Sequence, residues 1–270
     1  QVRPAGWLVA CADDPGAQRL AAAREAAGAA VARYGLTPGS LLYAKRVEFT
    51  AHGGSQAEVW QGERDIGALR LQVPGEHNVR NALAALAACQ CVGVAPETAL
   101  TALATYRGAG RRFELKGEAA HIRVFDDYAH HPTEIRATLA AARHLVDKGR
   151  VWVVFQPHTY SRTLALWSEF CQAFAAADQV LVTDIFAARE TDTLGVSGAA
   201  LAAAIAHPAV RYVTSLESAA ELLAQALQPG DLLLTLGAGD GYRVGEMVLR
   251  IVKEAERLQI QETAAILTNG

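Results

Sequence analysis

The second half of this chain alternates short apolar segments with helical patterns, and this alternation constrains the fold more than any other feature. The apolar segments begin near residues 121, 151, 180, 211 and 232. Between the first two, Ile135, Leu139 and Leu145 recur at helical spacing after Pro132, a residue suited to the first turn of a helix. Strand, helix and strand in this order form a parallel crossover unit. The pattern predicts a doubly wound, mostly parallel, Rossmann-like α/β domain.

Two of these apolar segments lead directly into clusters of ionisable residues. The first cluster is Asp126-Asp127-Tyr128-Ala129-His130-His131, and the second is Gln156-Pro157-His158-Thr159-Tyr160-Ser161-Arg162. Because parallel strands end at one edge of a sheet, both clusters are expected to face one cleft. Polar residues gathered in this way add little to the stability of a fold, so they predict a site for a charged ligand.

Polar or glycine-rich segments also follow two later strands. Residues Asp184 to Glu190 follow the third apolar segment, and Gly237-Ala238-Gly239-Asp240-Gly241 follows the last one. A glycine-rich loop that opens a helix can approach a phosphate closely. It can equally be a tight turn that needs glycine whatever binds nearby, and the sequence leaves both interpretations open.

The first half of the chain has a different pattern. It opens with Gln1 and reaches the apolar segment Leu8-Val9-Ala10-Cys11 at once, which indicates a start inside a domain. An alanine-rich helix follows, then two or three half-exposed, antiparallel strands between residues 41 and 73, and then two helices. The glycine- and arginine-rich segment 107–112 resembles an interdomain connection. We therefore predict domains at 1–109 and 110–270.

Composition excludes several classes of protein. A chain of 270 residues with 51% hydrophobic content can bury a full core. Its net charge of −3 offers no general attraction for nucleic acid or anionic membranes, and no apolar run is long enough for membrane insertion. The four cysteines lack zinc-type spacing. We predict reduced thiols, no metal site within this chain, and a cytoplasmic location.

Four motifs together resemble the Mur amino-acid ligases. They are Gly75-Glu76-His77-Asn78-Val79-Arg80-Asn81, Gly110-Arg111-Arg112-Phe113-Glu114, Asp126 to Ile135, and Phe155 to Thr163. The match is strongest to members that use ATP to join L-alanine to UDP-N-acetylmuramate through an acyl phosphate, in peptidoglycan precursor synthesis. Such a reaction builds negative charge in both of its steps, so the site needs cations and oriented donors.

The resemblance implies a nucleotide site and an amino-acid site. His77 and Asn81, one helical turn apart, would contact the adenine end of ATP; Arg112 would reach its phosphates, and Asp127 its ribose hydroxyls. Structural roles compete with these, because His77 and Asp127 could cap helices and Arg112 could be a solvated linker charge. The residues implied for the amino-acid pocket are Tyr128, His130, His158 and Arg162.

Three of these pocket residues, His130, His158 and Arg162, are the implied catalytic groups. Arg162 can hold the carboxylate of L-alanine with two hydrogen bonds, while the histidines would orient the amine or stabilise the acyl phosphate. His131 precedes Pro132 and could serve only to shape the turn. Thr159 departs from the family, which often has a second basic residue there, and this weakens the expected hold on anions.

The sequence also lacks a Gly-x-x-x-x-Gly-Lys-Ser/Thr motif, which family members carry after an N-terminal domain for the UDP portion. We expect the chain to comprise the latter part of an α/β ATP-binding central domain and a complete C-terminal domain. On this expectation it is inactive alone, and the ligands of Mg²⁺ lie outside it. Two alternatives remain open: another Mur-type ligase, such as one that recycles a tripeptide, and a non-catalytic domain that binds a nucleotide or an amino acid.

Overall fold

The computed structural model describes residues 6–38, 40–50 and 53–268, with side chains as far as residue 261. The chain divides into two compact units, Gln1–Gly108 and Ala109–Gly270. The division lies one residue from the boundary expected in the glycine- and arginine-rich segment. Each unit has its own sheet and its own hydrophobic core.

The first unit contains a five-stranded sheet in the order β1-β2-β3-β4-β5. Its elements are β1 (Leu8–Cys11), α1 (Pro15–Ala26), β2 (Val31–Gly35), β3 (Leu42–Phe49), β4 (Ser55–Gln61), β5 (Arg64–Leu71), α2 (Glu76–Cys91) and α3 (Pro96–Thr105). Strands β1, β2 and β3 are parallel, whereas β3, β4 and β5 pair antiparallel. The predicted antiparallel section is therefore confirmed.

Helix α2 covers one face of this sheet. Val79, Leu83 and Leu86 recur every three to four residues and are almost fully buried, together with Leu42 and Val59 from the strands. Burying each such side chain stabilises the fold by roughly 2 kcal/mol. The opposite side of α2 carries polar residues, so the helix both completes the core and presents side chains to solvent.

The second unit contains a six-stranded sheet in the order β10-β9-β8-β11-β7-β6. Its elements are β6 (Glu114–Ala119), β7 (Ile122–Asp127), α4 (Pro132–His144), β8 (Val151–Phe155), α5 (Tyr160–Ala165), α6 (Trp167–Phe170), β9 (Gln179–Val182), α7 (Gly198–Ala204), β10 (Val210–Tyr212), α8 (Leu216–Ala226), β11 (Leu232–Leu236) and α9 (Tyr242–Thr268). All neighbouring strands are parallel except β6 and β7. This confirms the predicted mostly parallel α/β fold.

Helices bury both faces of this sheet. On one face α4 packs through Ile135 and Leu139, and on the other α8 and α9 pack through Leu223 and Val248. Every residue of β8 and β11 is buried, as expected of central strands in a parallel sheet. Gly245 permits the close approach of α9, because a Cβ there would lie 2.7 Å from Val124 Cγ1.

Two elements go beyond the sequence prediction. Strand β6 was not predicted: it is a half-exposed edge strand, and an irregularity in its pairing near Gly117 hides the alternating pattern. Helix α9, which the sequence analysis did not delimit, continues to Thr268. The apolar repeat fades beyond Leu258, yet the segment to Thr268 contains neither glycine nor proline to end the helix.

Candidate functional site

The two polar clusters meet at the carboxyl edge of the second sheet. They follow β7 and β8, which are separated by β11 and hence by two strand spacings, about 10 Å. The rings of His130 and His158 nevertheless have centroids only 6.3 Å apart, and the Tyr128 ring meets His130 edge-on at 5.2 Å. The loops therefore bend toward each other, and the side chains of both clusters come together.

His130 is oriented by its own loop. Its Nδ1 lies 2.8 Å from the carbonyl oxygen of Tyr128, and because a carbonyl can only accept, Nδ1 carries the donated hydrogen. In the neutral ring this leaves Nε2 as an acceptor. Glu134 in the first turn of α4 accepts from the backbone N–H groups of His130 at 3.0 Å and His131 at 3.2 Å. The helix N-terminus thus holds the histidine loop in place.

His158 has the opposite hydrogen-bonding arrangement. Nη1 of Arg162 donates to the carbonyl oxygen of His158 at 2.5 Å and lies 3.1 Å from its Nδ1. A guanidinium can only donate, so Nδ1 is the acceptor, and the hydrogen of the neutral ring is on Nε2. Burial, reinforced by the positive charge of Arg162, lowers the pKa of His158 and favours this neutral form.

The loop after β8, which begins at Gln156, packs against the loops that follow β9 and β11. Phe186 stacks on the ring of His158 with a centroid distance of 5.6 Å, and its N–H donates to Pro157 O at 2.8 Å. The amide of Gln156 bridges the glycine-rich loop: its Nε2 donates to Asp240 Oδ1 and its Oε1 accepts from the Gly241 N–H, both at 2.8 Å.

The same packing accounts for the glycines after β11. A Cβ on Gly239 would lie 2.3 Å from Gln156 Oε1 and 2.6 Å from the Phe186 ring. A Cβ on Gly237 would lie 2.4 Å from Gln156 O, and its φ of 136° also favours glycine. These contacts favour the tight-turn interpretation of the glycine-rich loop over the phosphate-binding one.

The rings of Tyr128, His130 and His158 form a cluster, called the ring cluster below. Asp127 comes directly before Tyr128 in the sequence and is only 4% exposed. Its oxygens accept from the backbone N–H groups of Phe113 at 2.9 Å and Ala129 at 2.7 Å. Burial nonetheless raises its pKa to about 6. A ribose contact would require this enclosed carboxylate to become accessible, so the nucleotide role of Asp127 stays a prediction, and the structure assigns it a role in holding the loop.

The two arginines before β6 have different surroundings. Arg112 has a half-exposed side chain, 4.0 Å from Glu134 Oε1, and its guanidinium carbon lies 5.5 Å from the centre of the Tyr128 ring. Arg111 is more enclosed and donates to Asp126 Oδ2 at 2.8 Å, to Gly239 O at 3.0 Å and to Gly237 O at 2.8 Å. Sequence analysis missed Arg111, because nothing in a doubled arginine indicates which of the two side chains bonds to the sheet and the glycine-rich loop.

The remaining predicted residues are in the first unit, on α2. Asn81 is exposed and, with Asn78 and Tyr106, lines a cavity of about 350 Å³ whose other walls are apolar. Its volume is within the usual range for small-molecule sites. Asn78 Nδ2 donates to Pro74 O at 2.8 Å, which fixes the start of the helix. His77 is half-buried on the same helix, and the lining residues described for this cavity do not include it.

The described part of the chain offers neither a group of metal ligands nor a membrane-spanning helix. Within residues 6–38, 40–50 and 53–268, no three His, Cys, Asp or Glu side chains are grouped so that they could hold a metal ion. In the same ranges, no helix is both long and apolar enough to cross a membrane.

Comparison with known families matches both units. Residues 1–89 match the Mur ligase middle domain, and residues 111–239 match the Mur ligase, glutamate ligase domain. The chain belongs to the Mur ligase family. The resemblance carried by the four motifs is therefore confirmed, and the second match includes the ring cluster together with Arg111 and Arg112.

Similar proteins include ligases named for L-alanine. This Mur ligase chain is 48% identical over 253 residues to the UDP-N-acetylmuramate–L-alanine ligase of Mycolicibacterium smegmatis, covering 92% of the chain and 52% of that relative. It spans about half the length of the curated relatives that it matches. A solved UDP-N-acetylmuramate-alanine ligase from Thermotoga maritima is 26% identical with a TM-score of 0.65, covering 85% of this chain and 48% of that one.

A MurF ligase from the same organism, solved in complex with ADP, has the same fold. Its TM-score is 0.67 at 17% identity, over 93% of this chain and 54% of that one.

Proposed function

We propose that this chain provides the amino-acid site and part of the ATP site of a ligase that joins L-alanine to UDP-N-acetylmuramate in peptidoglycan precursor synthesis. The observation that carries the proposal is the convergence of Tyr128, His130, His158 and Arg162 from two non-adjacent strands. The proposal concerns the whole protein, since the chain spans about half the length of its relatives. We place the activity in the cytoplasm, where ATP is available.

Arg162 is the proposed anchor for the carboxylate of L-alanine. Nη1 of Arg162 donates to the carbonyl oxygen of His158, so Nε and Nη2 are available to donate to a ligand. No ion pair between Arg162 and a carboxylate is present among the described residues. A guanidinium without a protein counter-ion beside a cluster of rings is suited to a two-point hydrogen bond with a small carboxylate ligand.

The two histidines would then have different tasks. In the proposed reaction the amine of L-alanine attacks the acyl carbon, phosphate leaves, and the amine loses a proton. Nε2 of His130 is an acceptor and could take that proton, whereas Nε2–H of His158 could donate to an oxygen of the acyl phosphate as charge develops there. These assignments follow from the hydrogen-bond partners of the two Nδ1 atoms.

Nucleotide contacts are proposed for residues of each unit. Asn81, with the adjoining cavity, and His77 are proposed for the adenine, Arg112 for the phosphates and Asp127 for the ribose. The ADP complex of the MurF ligase supports a nucleotide substrate. Mg²⁺ is the metal expected for phosphoryl transfer, but the described residues offer no suitable group of ligands. The roles proposed for these side chains therefore do not include metal binding.

The test is an assay of ADP release by the protein at the full length that its gene encodes. UDP-N-acetylmuramate is supplied with L-alanine or with a cell-wall tripeptide. We expect release that depends on L-alanine. We also expect Arg162→Ala to raise the KM for L-alanine at least tenfold, because a charge-assisted hydrogen bond contributes about 1.5–3 kcal/mol. Arg136→Ala, a change on the exposed side of α4, is the matched control.

The same assay separates the alternatives. Release that depends on the tripeptide instead of L-alanine would favour a recycling ligase. Calorimetric binding of ATP and L-alanine without turnover would favour a binding domain. The 48% identity to an L-alanine ligase favours the first proposal over both.

A further inference from the structure

One carboxylate close to the amino-acid pocket has no part in the reaction proposed above. Glu190 belongs to the loop after β9, and the described partners of its carboxylate belong to the segment that carries His158 and Arg162. Its Oε1 accepts from the Thr159 hydroxyl at 2.5 Å and from the Ser161 hydroxyl, and its Oε2 accepts from the Ser161 N–H at 2.9 Å. These three donors lie between His158 and Arg162 in the sequence.

Two contacts from the same loop act on this short segment. Phe186 stacks on His158 and bonds to the preceding residue, while Glu190 binds the residues between His158 and Arg162. The segment also has hydrogen bonds of its own: Arg162 Nη1 donates to His158 O, and the Thr163 hydroxyl donates to Thr159 O. The loop after β9 therefore supports, from outside, the turn that places the Arg162 guanidinium beside His158.

The charge of Glu190 is stabilised by hydrogen bonds from neutral donors, which hold the carboxylate at one place beside the proposed pocket. The hydroxyls of Ser161 and Thr159 and the N–H of Ser161 lower the pKa of Glu190 to about 2, so the group is a carboxylate at neutral pH. Free in solution, such a carboxylate would compete with a ligand for Arg162. The three hydrogen bonds hold the Glu190 carboxylate at Thr159 and Ser161, so it does not compete with a ligand for Arg162.

We propose that Glu190 is a positioning residue that sets the geometry of Arg162 and His158 for the carboxylate of the amino-acid substrate. This inference rests on the proposed function. It also gives a role to Thr159, whose hydroxyl is a neutral donor to Glu190. The amino-acid pocket is thus built from three strand ends, β7, β8 and β9.

The first experiment compares Glu190→Ala and Glu190→Gln in the full-length protein. We expect Glu190→Ala to raise the KM for L-alanine about tenfold, since misplacing a binding group by a fraction of an ångström weakens an oriented contact. The KM values for ATP and UDP-N-acetylmuramate should not change. Glu190→Gln keeps an acceptor for the Ser161 N–H and should recover at least half of the loss. Glu221→Gln, at an exposed position on α8, is the control.

A second experiment tests whether Glu190 acts through its partners. Ser161→Ala removes one donor to Glu190. The double variant with Glu190→Ala should have the same KM for L-alanine as Glu190→Ala alone. Effects on the KM for L-alanine that multiply would overturn the proposal, as would equal changes in all three KM values. Thermal melting of each variant shows whether it still folds. If Glu190→Ala does not fold, the KM of Glu190→Gln for L-alanine decides the proposal.

The wild-type protein separates this inference from the proposed function. If wild type shows no L-alanine-dependent turnover, the proposed function fails. If wild type is active and the Glu190 variants are unaffected, only this inference is refuted.

Discussion

At the scale of single residues, neighbours in the sequence have unrelated roles. Arg111 and Arg112 are chemically identical, yet Arg111 joins Asp126 to the glycine-rich loop and Arg112 is half-exposed beside Tyr128. Asp126 and Asp127 are both buried, but Asp126 pairs with a guanidinium whereas Asp127 binds only backbone N–H groups. Neither difference can be derived from the sequence, because each depends on which strand or loop lies opposite.

The arginine pair gives a matched prediction. Arg111→Ala would leave the buried carboxylate of Asp126 without its cation, with Thr235 as its remaining side-chain donor. We expect a loss of about 3 kcal/mol in the free energy of unfolding, measured by urea denaturation. Arg112→Ala should change stability by less than about 0.5 kcal/mol and instead raise the KM for ATP in the full-length protein. Equal destabilisation by both changes would contradict these assignments.

Asp127 predicts a pH dependence of stability. Its folded pKa of about 6 is above the ordinary value of 3.8, so between these values the folded state binds more protons than the unfolded state. The free energy of unfolding therefore falls as pH rises through this window, by about 3 kcal/mol in total. Asp127→Asn removes this ionisation, so the advantage of wild type over the variant should shrink from pH 4 to pH 7.

Denaturation curves at several pH values would measure this difference, with the exposed Asp147→Asn as the control. If the advantage of wild type grew with pH, the bonds from Phe113 and Ala129 would outweigh burial, and the raised pKa would be wrong.

At the scale of elements, the sequence predicted most of the strands and helices but not all of their limits. Strands β8 and β11 are buried on both faces and have continuous apolar runs, so they were evident. Strand β6 escaped detection because an edge strand does not need such a run. The predicted pocket residues lie together because their motifs follow strand ends, whereas their contacts with Phe186 and Glu190 depend on tertiary packing that the sequence does not display.

The N-terminus of α4 gives a prediction at this scale. Glu134 accepts two backbone N–H groups, and His131 Nδ1 accepts from Thr133 N at 3.2 Å, so both groups cap the helix. Glu134→Ala should lower the free energy of unfolding by about 1 kcal/mol and loosen the loop that carries His130. Thermal denaturation would measure the first effect, with Arg136→Ala as the control on the same helix. A change within experimental error would show that the cap contributes nothing.

At the scale of the whole molecule, the two units have separate cores and different sheet architectures. The second unit includes complete helical cover on both faces of its sheet. In the first unit, β1 is an edge strand of the described sheet, and Trp7 beside it is 49% exposed. An unpaired edge of this kind favours association between molecules.

Separate expression of the two units tests this contrast. We expect residues 109–270 to unfold in one cooperative transition, followed by circular dichroism in denaturant. Residues 1–108 should instead self-associate as concentration rises, which light scattering would detect. A monomeric first unit, or a second unit without a cooperative transition, would contradict the expectation.

The strand order of the second unit also has a consequence for its synthesis on the ribosome. Strands β7 and β8 are not hydrogen-bonded to each other, because each pairs with β11, which is translated last of the six. The nascent chain can form the β8-β9-β10 layer and the β6-β7 hairpin early, but these halves stay apart until Leu232–Leu236 has emerged from the exit tunnel. The two polar clusters are therefore brought together only in the final stage of chain elongation, and a ribosome that stalls before β11 releases a product without the proposed amino-acid pocket.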